Sequence, residues 1–205
     1  MLYQAKGITQ KMNNEPFIKV YDDLIPAYLQ DHLELITLGV KSKGEEFIDP
    51  SVDFKCKYEI TAKETNQPPL SFVHLLKSHT SISKHLDNFG MVAQALCNVN
   101  DLILQNIMLA RVFITVPHAT ELTHYAPHID IEVDHMAVIY FVNDADGDTV
   151  FFDNDGKIIK SVEPKKGRAI IFDGKIMHGG GIPKNGPRCI ANFDIKVKQW
   201  ADHFL

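Results

Sequence analysis

The sequence predicts a mainly β protein with helices in its N-terminal half, an α+β organisation whose second half is an antiparallel sandwich or barrel. Apolar residues recur with helical spacing before about residue 100, and from residue 107 onward they follow the period of two that is typical of strands. Turn sequences such as DADGD and DNDG separate these strands, with no helical segment between them. These two observations determine the predicted fold class.

The first helical pattern lies near the N-terminus. Leu29, Leu33 and Ile36 recur at positions i, i+4 and i+7, the spacing that places side chains on one face of a helix. Pro26 stands just before them, where the first turn of a helix tolerates proline. These four residues together predict an amphipathic helix at this point of the chain.

The rest of the N-terminal half combines a polar region with a second helical pattern. Residues 71–97 predict one or two further helices, which end near Asn98. Residues 40–70 are polar and contain many turn residues, so we expect a loop with one or two short strands there. We therefore expect the N-terminal half to be mainly helical.

Six short segments in the second half have the composition of strands. They are separated by turn sequences and comprise residues 107–116, 135–143, 149–153, 157–162, 167–173 and 188–197. In the last of them, Cys189 and Phe193 fall on an apolar face, while Arg188 and Asn192 fall on the opposite face. The apolar face can pack against the helices, and the face with polar residues is a candidate pocket wall.

Composition and charge restrict the class of protein. The 205 residues are 45% hydrophobic, which suffices for the core of one domain, so we expect a single domain over residues 1–205. The net charge of −5 and the pI near 6.0 argue against nucleic-acid binding, which needs clustered Lys and Arg. The three cysteines are far apart, and no apolar run fits a signal peptide or a membrane span. We therefore expect a cytoplasmic protein that binds neither nucleic acid nor membranes, and its oligomeric state stays open.

The sequence HGGG at residues 178–181 has two interpretations. In lipases and esterases this motif supplies backbone N–H groups that stabilise an oxyanion. That fold also needs a G-x-S-x-G nucleophile elbow, which the sequence lacks. We therefore favour the second interpretation, in which His178 is a metal ligand and the glycines let the backbone pass close to another group.

Candidate partners for His178 lie well upstream. His128 and Asp130 stand at i and i+2, which on a strand places both side chains on one face, about 6–7 Å apart. Alone, an H-x-D pair is more typical of a surface strand. With His178 on a neighbouring strand, two imidazoles and one carboxylate would form the facial triad of non-haem Fe(II) oxygenases. Arg188 follows at the start of a strand that has a polar face.

The order of motifs after residue 107 resembles that of a known family. It runs YAPHID, YFVN, GDTVF and PKKGRAIIF, and it continues with His178 and then Arg188. This order over residues 107–197 resembles the 2-oxoglutarate- and Fe(II)-dependent oxygenases, specifically their prolyl 4-hydroxylase-like branch. The resemblance implies a double-stranded β-helix, or jelly roll, over residues 107–200, with residues 1–106 as a helical support and substrate-loop region.

The resemblance also implies roles for individual residues. His128, Asp130 and His178 would hold Fe(II) and so form the catalytic centre. The cosubstrate 2-oxoglutarate would chelate the iron, and Arg188 would bind its distal carboxylate, for which a planar guanidinium is well suited. O2 would complete the reacting set, and ascorbate is a candidate accessory reductant.

Two further residues are candidates for binding the cosubstrate. Tyr125 would donate its hydroxyl to 2-oxoglutarate, although a strand-edge aromatic is the alternative interpretation. Asn192 shares a strand face with Arg188 and is therefore placed to line the pocket. Glu132 continues the face of Asp130, and burying both carboxylates would be costly, so we expect the strand to end or bend after Asp130.

The expected reaction is hydroxylation of a C–H bond, with oxidative decarboxylation of 2-oxoglutarate to succinate and CO2. A prolyl residue in a peptide is the first candidate substrate. A small molecule is the second, since many collagen-type prolyl hydroxylases carry Lys in place of Arg188. The alternative from another class is a cupin-like metal-binding jelly roll without turnover, although the H-x-H motif and later Glu of cupins are absent. We expect selectivity to lie in the loops at residues 40–70 and 117–127.

Overall fold

The computed structural model describes residues 16–41, 47–57 and 71–199. Within these residues the chain forms two helices and twelve strands. The helices are α1 (Ala27–Leu38) and α2 (Leu86–Val99). In chain order the strands are β1 (Ile18–Tyr21), β2 (Val40–Lys41), β3 (Phe47–Ile48), β4 (Lys55–Lys57), β5 (Ser71–Lys77), β6 (Leu102–Thr115), β7 (Met136–Phe141), β8 (Thr149–Phe152), β9 (Ile158–Val162), β10 (Ala169–Asp173), β11 (His178–Gly179) and β12 (Arg188–Gln199).

The strands form two facing sheets and one short two-stranded pair. The larger sheet has the order β1-β10-β7-β12-β6-β5-β4, the smaller sheet has the order β11-β8-β9, and β2 pairs with β3. Neighbouring strands are antiparallel in every one of these pairings. Phe151 and Val162 of the smaller sheet pack against Ile139, Ile170 and Phe172 of the larger one. The predicted jelly-roll core is confirmed.

The helices cover the outer face of the larger sheet. Leu33 of α1 and Phe89 of α2 belong to one buried cluster with Phe193 of β12. The alternation predicted for this last strand is confirmed, because Arg188 and Asn192 point instead to the interior between the two sheets. Neither helix has the length and apolar character of a membrane span, and the described residues contain no other helix.

The N-terminal half contains more strand than its sequence pattern predicts. Residues 71–77, expected to be helical, form β5, which pairs with β6 on one side and β4 on the other. A short apolar run fits either a helix or a strand, and here the hydrogen bonds to neighbouring strands favour the strand. In addition, β6 begins at Leu102 instead of residue 107. The helical support expected over residues 1–106 therefore also contributes strands to the larger sheet.

The polar region at residues 40–70 is described only in part. It contains three short strands, β2, β3 and β4, where one or two were expected. Val52 is buried in the core beside α1, where its backbone N–H donates to the carbonyl oxygen of Ile36 at 2.9 Å. The segments 42–46 and 58–70 lie outside the described residues, and so does most of the predicted first substrate loop.

Candidate metal centre

Two histidines that are far apart in the sequence lie side by side between the sheets. His128 and His178 form an isolated antiparallel bridge, in which each backbone N–H donates to the carbonyl oxygen of the other residue at 3.0 Å. Directly opposed residues of an antiparallel pair project to the same side, and the two imidazole centroids are 4.8 Å apart. The structure therefore places His178 beside His128, as the sequence analysis expects.

Both imidazoles present the same ring nitrogen for metal binding. His128 Nδ1 donates to the Ala126 carbonyl oxygen at 3.1 Å, and His178 Nδ1 donates to the Ile176 carbonyl oxygen at 3.3 Å. A carbonyl oxygen only accepts hydrogen bonds, so Nδ1 of each ring carries a proton. In the neutral tautomer with this proton, Nε2 keeps its lone pair. This is the tautomer that a metal-binding imidazole needs when it coordinates through Nε2.

Asp130 completes the group. Its Oδ2 lies 3.4 Å from His178 Nε2, its Oδ1 lies 4.0 Å from His128 Nε2, and one ligand atom from each residue lies within 4.8 Å of the others. The side chains of Asp130 and His178 are 6% and 4% exposed, whereas that of His128 is 29% exposed. The group therefore opens on the side of His128. The chain bends after Asp130, and Glu132 is exposed, as expected.

Burial and neighbouring charges set the ionisation of these residues. Burial, together with the neighbouring His178, lowers the pKa of His128, so this ring is neutral at neutral pH. Burial acts to raise the pKa of Asp130, but the neighbouring His178 and the charge of Arg111 outweigh it and hold that pKa well below its ordinary value. A neutral imidazole and an ionised carboxylate are the forms that bind a divalent metal.

A cavity of about 220 Å³ connects the three residues to Arg188 at the start of β12. Apolar side chains such as Ile139 and Ile190 line its walls. Arg188 is 2% exposed, its Nε donates to the Gly147 carbonyl oxygen at 2.9 Å, and its Nη2 donates to Thr149 Oγ1 at 2.7 Å. Burial lowers the pKa of Arg188 to about 10, which leaves the guanidinium charged at neutral pH.

The other two predicted residues also reach this cavity. Tyr125 lines it, and its buried hydroxyl has no hydrogen-bond partner among the described residues. Burial raises the pKa of Tyr125 to about 12, so the hydroxyl is a neutral donor. Asn192 also lines the cavity, and its Nδ2 donates to Asp130 Oδ2 at 3.0 Å. One cavity thus brings together all six predicted residues, namely His128, Asp130, His178, Arg188, Tyr125 and Asn192.

Arg111 of β6 also belongs to the site, although no sequence motif indicates it. Its Nη2 donates to Asp130 Oδ1 at 2.7 Å, and its side chain lines the same cavity. The alternation of the strand carried the signal, because Arg111 shares a face of β6 with Phe113 and Thr115, which also line the cavity. An arginine on the inner face of a predicted strand is therefore worth noting as a site candidate.

Two imidazoles and one carboxylate, open on one side, are the donor set of non-haem Fe(II) sites. The profile of the 2OG-Fe(II) oxygenase superfamily matches residues 115–195. This segment is therefore similar to that superfamily. It contains the three candidate ligands and Arg188. The resemblance noted in the sequence is therefore confirmed. The class of enzyme that it implies, an oxidoreductase of the dioxygenase type, is confirmed with it. No match was found among curated proteins.

Solved structures share the oxygenase fold at low sequence identity. A prolyl 4-hydroxylase from Pseudomonas putida is 14% identical with a TM-score of 0.54, over 88% of this chain and 93% of its own. A prolyl hydroxylase from Trichoplax adhaerens, in complex with a hypoxia inducible factor peptide fragment, is 11% identical with a TM-score of 0.59, over 87% and 82%. A 2OG-Fe(II) oxygenase family protein from Burkholderia pseudomallei is 8% identical with a TM-score of 0.64, over 87% and 84%. These likenesses show the fold.

The glycines of the HGGG motif have different surroundings in the structure. A Cβ placed at Gly181 would lie 2.2 Å from the backbone carbonyl carbon of Gly147, which is too close for any side chain. A Cβ placed at Gly180 would make only ordinary contacts, the nearest at 3.6 Å from Arg188 Nη1. Gly181 therefore permits the close approach of two backbone segments, as expected, whereas Gly180 leaves space in the cavity beside Arg188.

Proposed function

We propose that the protein is a 2-oxoglutarate-dependent Fe(II) dioxygenase, formed by a single domain over residues 1–205, that hydroxylates a C–H bond. The reaction consumes 2-oxoglutarate and O2, places one oxygen atom in the product hydroxyl and the other in succinate, and releases CO2. The observation that carries the proposal is the convergence of His128, Asp130 and His178 at a cavity that also contains the buried Arg188.

The three converging residues would hold Fe(II), which when bound supplies the activation of O2. The protein contributes an ionised Asp130 and two imidazoles that are already in the ligating tautomer. Since His128 is the most exposed of the three, a substrate would approach from its side. The apolar walls around Ile139 and Ile190 would exclude water from the reacting atoms.

Arg188 would bind the distal carboxylate of 2-oxoglutarate. Two of its nitrogens are already anchored to Gly147 and Thr149, and Nη1 faces the space beside Gly180. A guanidinium that is held in one orientation loses little side-chain entropy when it binds a carboxylate. The neutral hydroxyl of Tyr125 would donate a second hydrogen bond to the cosubstrate.

The first candidate substrate is a prolyl residue in a peptide, and the second is a small molecule. The prolyl 4-hydroxylase-like order of motifs supports the peptide, and two of the similar structures are prolyl hydroxylases. Arg188, in place of the Lys of many collagen-type enzymes, supports the small molecule. Ascorbate as an accessory reductant and a cytoplasmic location remain predictions.

Turnover tests the proposal directly. We expect succinate, together with a product that is heavier by one oxygen atom, when the full chain is incubated with Fe(II), 2-oxoglutarate, O2 and a panel of prolyl peptides and small metabolites. The Asp130→Ala variant should form neither product. A protein that binds Fe(II) and 2-oxoglutarate yet forms no succinate with any member of the panel would instead be a metal-binding jelly roll without turnover.

Two alanine substitutions in the glycine run should have different effects. Gly181→Ala should lower the free energy of unfolding by about 1–3 kcal/mol, because its Cβ would overlap the Gly147 backbone. Gly180→Ala should unfold near the wild-type temperature but bind 2-oxoglutarate more weakly, since its methyl group takes up space beside Arg188. Thermal unfolding and 2-oxoglutarate titration measure the two effects. Equal stability of the two variants would contradict the assignment.

A further inference from the structure

Arg111 contacts the carboxylate of Asp130 from the side of the larger sheet. It lies in the middle of β6, where it is paired with Asn192 of β12. Its Nη2 donates to Asp130 Oδ1 at 2.7 Å and to Asn192 Oδ1 at 3.1 Å, and its guanidinium lies 5.3 Å from the centre of the Phe113 ring. Asn192 in turn donates to Asp130 Oδ2. Both oxygens of the candidate metal ligand therefore accept a hydrogen bond from one linked pair of side chains.

A second carboxylate lies behind Arg111. Asp194 follows Asn192 on the same face of β12, its side chain is 0% exposed, and its Oδ2 is 3.6 Å from Arg111 Nη2. Its Oδ1 is 3.3 Å from Nε2 of His135, whose side chain is also fully buried. The His135 ring packs so closely on Gly174 that a Cβ there would lie 2.1 Å from its Nε2. A continuous row of buried polar groups thus extends from Asp130 to His135.

Burying such groups has an energetic cost that calls for a functional reason. A charged side chain taken out of water is destabilising unless a partner of opposite charge is close. Arg111 meets this condition by lying between Asp130 and Asp194, and Asp194 meets it by lying between Arg111 and His135. At one end of the row, His135 packs against Gly174. At the other end lies the Asp130 carboxylate of the candidate metal centre.

We propose that Arg111, held by Asp194, is a positioning residue that fixes the Asp130 carboxylate in the orientation needed to bind the metal. This inference rests on the proposed function, because it assumes that Asp130 is a metal ligand. Partners that hold a ligating side chain restrict its rotation before the metal arrives, and their loss commonly costs about 10- to 100-fold in metal affinity. Arg111 acts through Asp130 and does not itself need to touch the metal.

The sign of the effect separates positioning from simple electrostatics. A positive charge near a divalent cation repels it, so removal of Arg111 would strengthen metal binding if charge alone mattered. Under the positioning account, removal weakens metal binding because the Asp130 carboxylate becomes free to rotate. Arg111→Met removes both the charge and the hydrogen bonds, whereas Arg111→Gln removes the charge but retains an amide donor.

Titration of the metal-free full chain with Co(II), followed by calorimetry and by the visible Co(II) spectrum, tests the inference without turnover. We expect Arg111→Met to bind Co(II) about 10- to 100-fold more weakly than the wild type. Arg111→Gln should recover part of the lost Co(II) affinity. The shape of the visible Co(II) band should also change in Arg111→Met when the site is saturated. Arg168→Gln is the matched control, because it removes an arginine paired with Asp22 far from the site, and it should bind Co(II) as the wild type does.

Asp194→Asn supplies a second test that keeps the shape of the side chain. It should weaken Co(II) binding in the wild-type background and have little further effect in the Arg111→Met background, because the two residues act in sequence. Wild-type or tighter Co(II) binding by both Arg111 variants, with wild-type unfolding temperatures, would overturn the inference. If the wild type itself binds no Co(II), or binds it equally well after His178→Ala, the proposed function fails instead.

Discussion

Replacing His178 with alanine is expected to abolish iron-dependent succinate formation. The substitution removes one of three ligands, and the remaining Asp130 and His128 offer too few donors to retain Fe(II) at a working concentration. The measurement is succinate released per enzyme, together with the amount of Fe(II) that remains bound after desalting. Both quantities should fall to the background of the assay.

A surface histidine provides the control for this prediction. His79 is exposed and lies outside the cavity, so His79→Ala should keep wild-type iron content and turnover. Because His178 also packs against Phe172, with ring centroids 4.9 Å apart, the unfolding temperature of His178→Ala has to be measured as well. A folded His178→Ala protein that still forms succinate would remove this residue from the metal site.

Replacing Arg188 with alanine is expected to weaken 2-oxoglutarate binding by about 2–4 kcal/mol, or roughly 30- to 700-fold. The buried distal carboxylate would lose its charged partner. Metal affinity should change little, because Arg188 does not contact the three candidate ligands. The measurement is a titration of the Fe(II)-loaded protein with 2-oxoglutarate without O2.

A lysine variant at the same position separates the effect of charge from that of the guanidinium group. Arg188→Lys keeps the positive charge but loses the planar guanidinium and its anchors to Gly147 and Thr149, so its affinity should lie between those of the wild type and Arg188→Ala. Arg168→Ala, which removes an arginine elsewhere on the surface, should bind 2-oxoglutarate normally. Unchanged affinity in folded Arg188→Ala would place the distal carboxylate at another residue.

The second half of the fold was more predictable than the first, for a physical reason. In the strands after residue 107, the period of two and the turn sequences agree, and β12 shows the expected apolar and polar faces. The sequence predicts a helix over residues 71–77, but a short apolar run does not distinguish a helix from a strand. Only pairing with β4 and β6, which are distant in sequence, determines that they form β5.

In the candidate site, too, some residues could be predicted from the sequence and others could not. His128, Asp130, His178 and Arg188 belong to an ordered motif, so the sequence could indicate them before the structure brought them together. Arg111 belongs to no motif. Its contact with Asp130 depends on the register of β6 against β12 and on the bridge that brings the 128–130 segment over the larger sheet. A single sequence does not reveal that register.

The most direct test of the account is the visible absorption spectrum of the protein with Fe(II) and 2-oxoglutarate in the absence of O2. If His128, Asp130 and His178 hold iron beside Arg188, adding 2-oxoglutarate to the Fe(II)-loaded protein should produce a weak metal-to-ligand charge-transfer band. This band should saturate at one equivalent and be absent from His178→Ala. If iron is bound at His128, Asp130 and His178 but excess 2-oxoglutarate produces no such band, the proposed role of this site is contradicted.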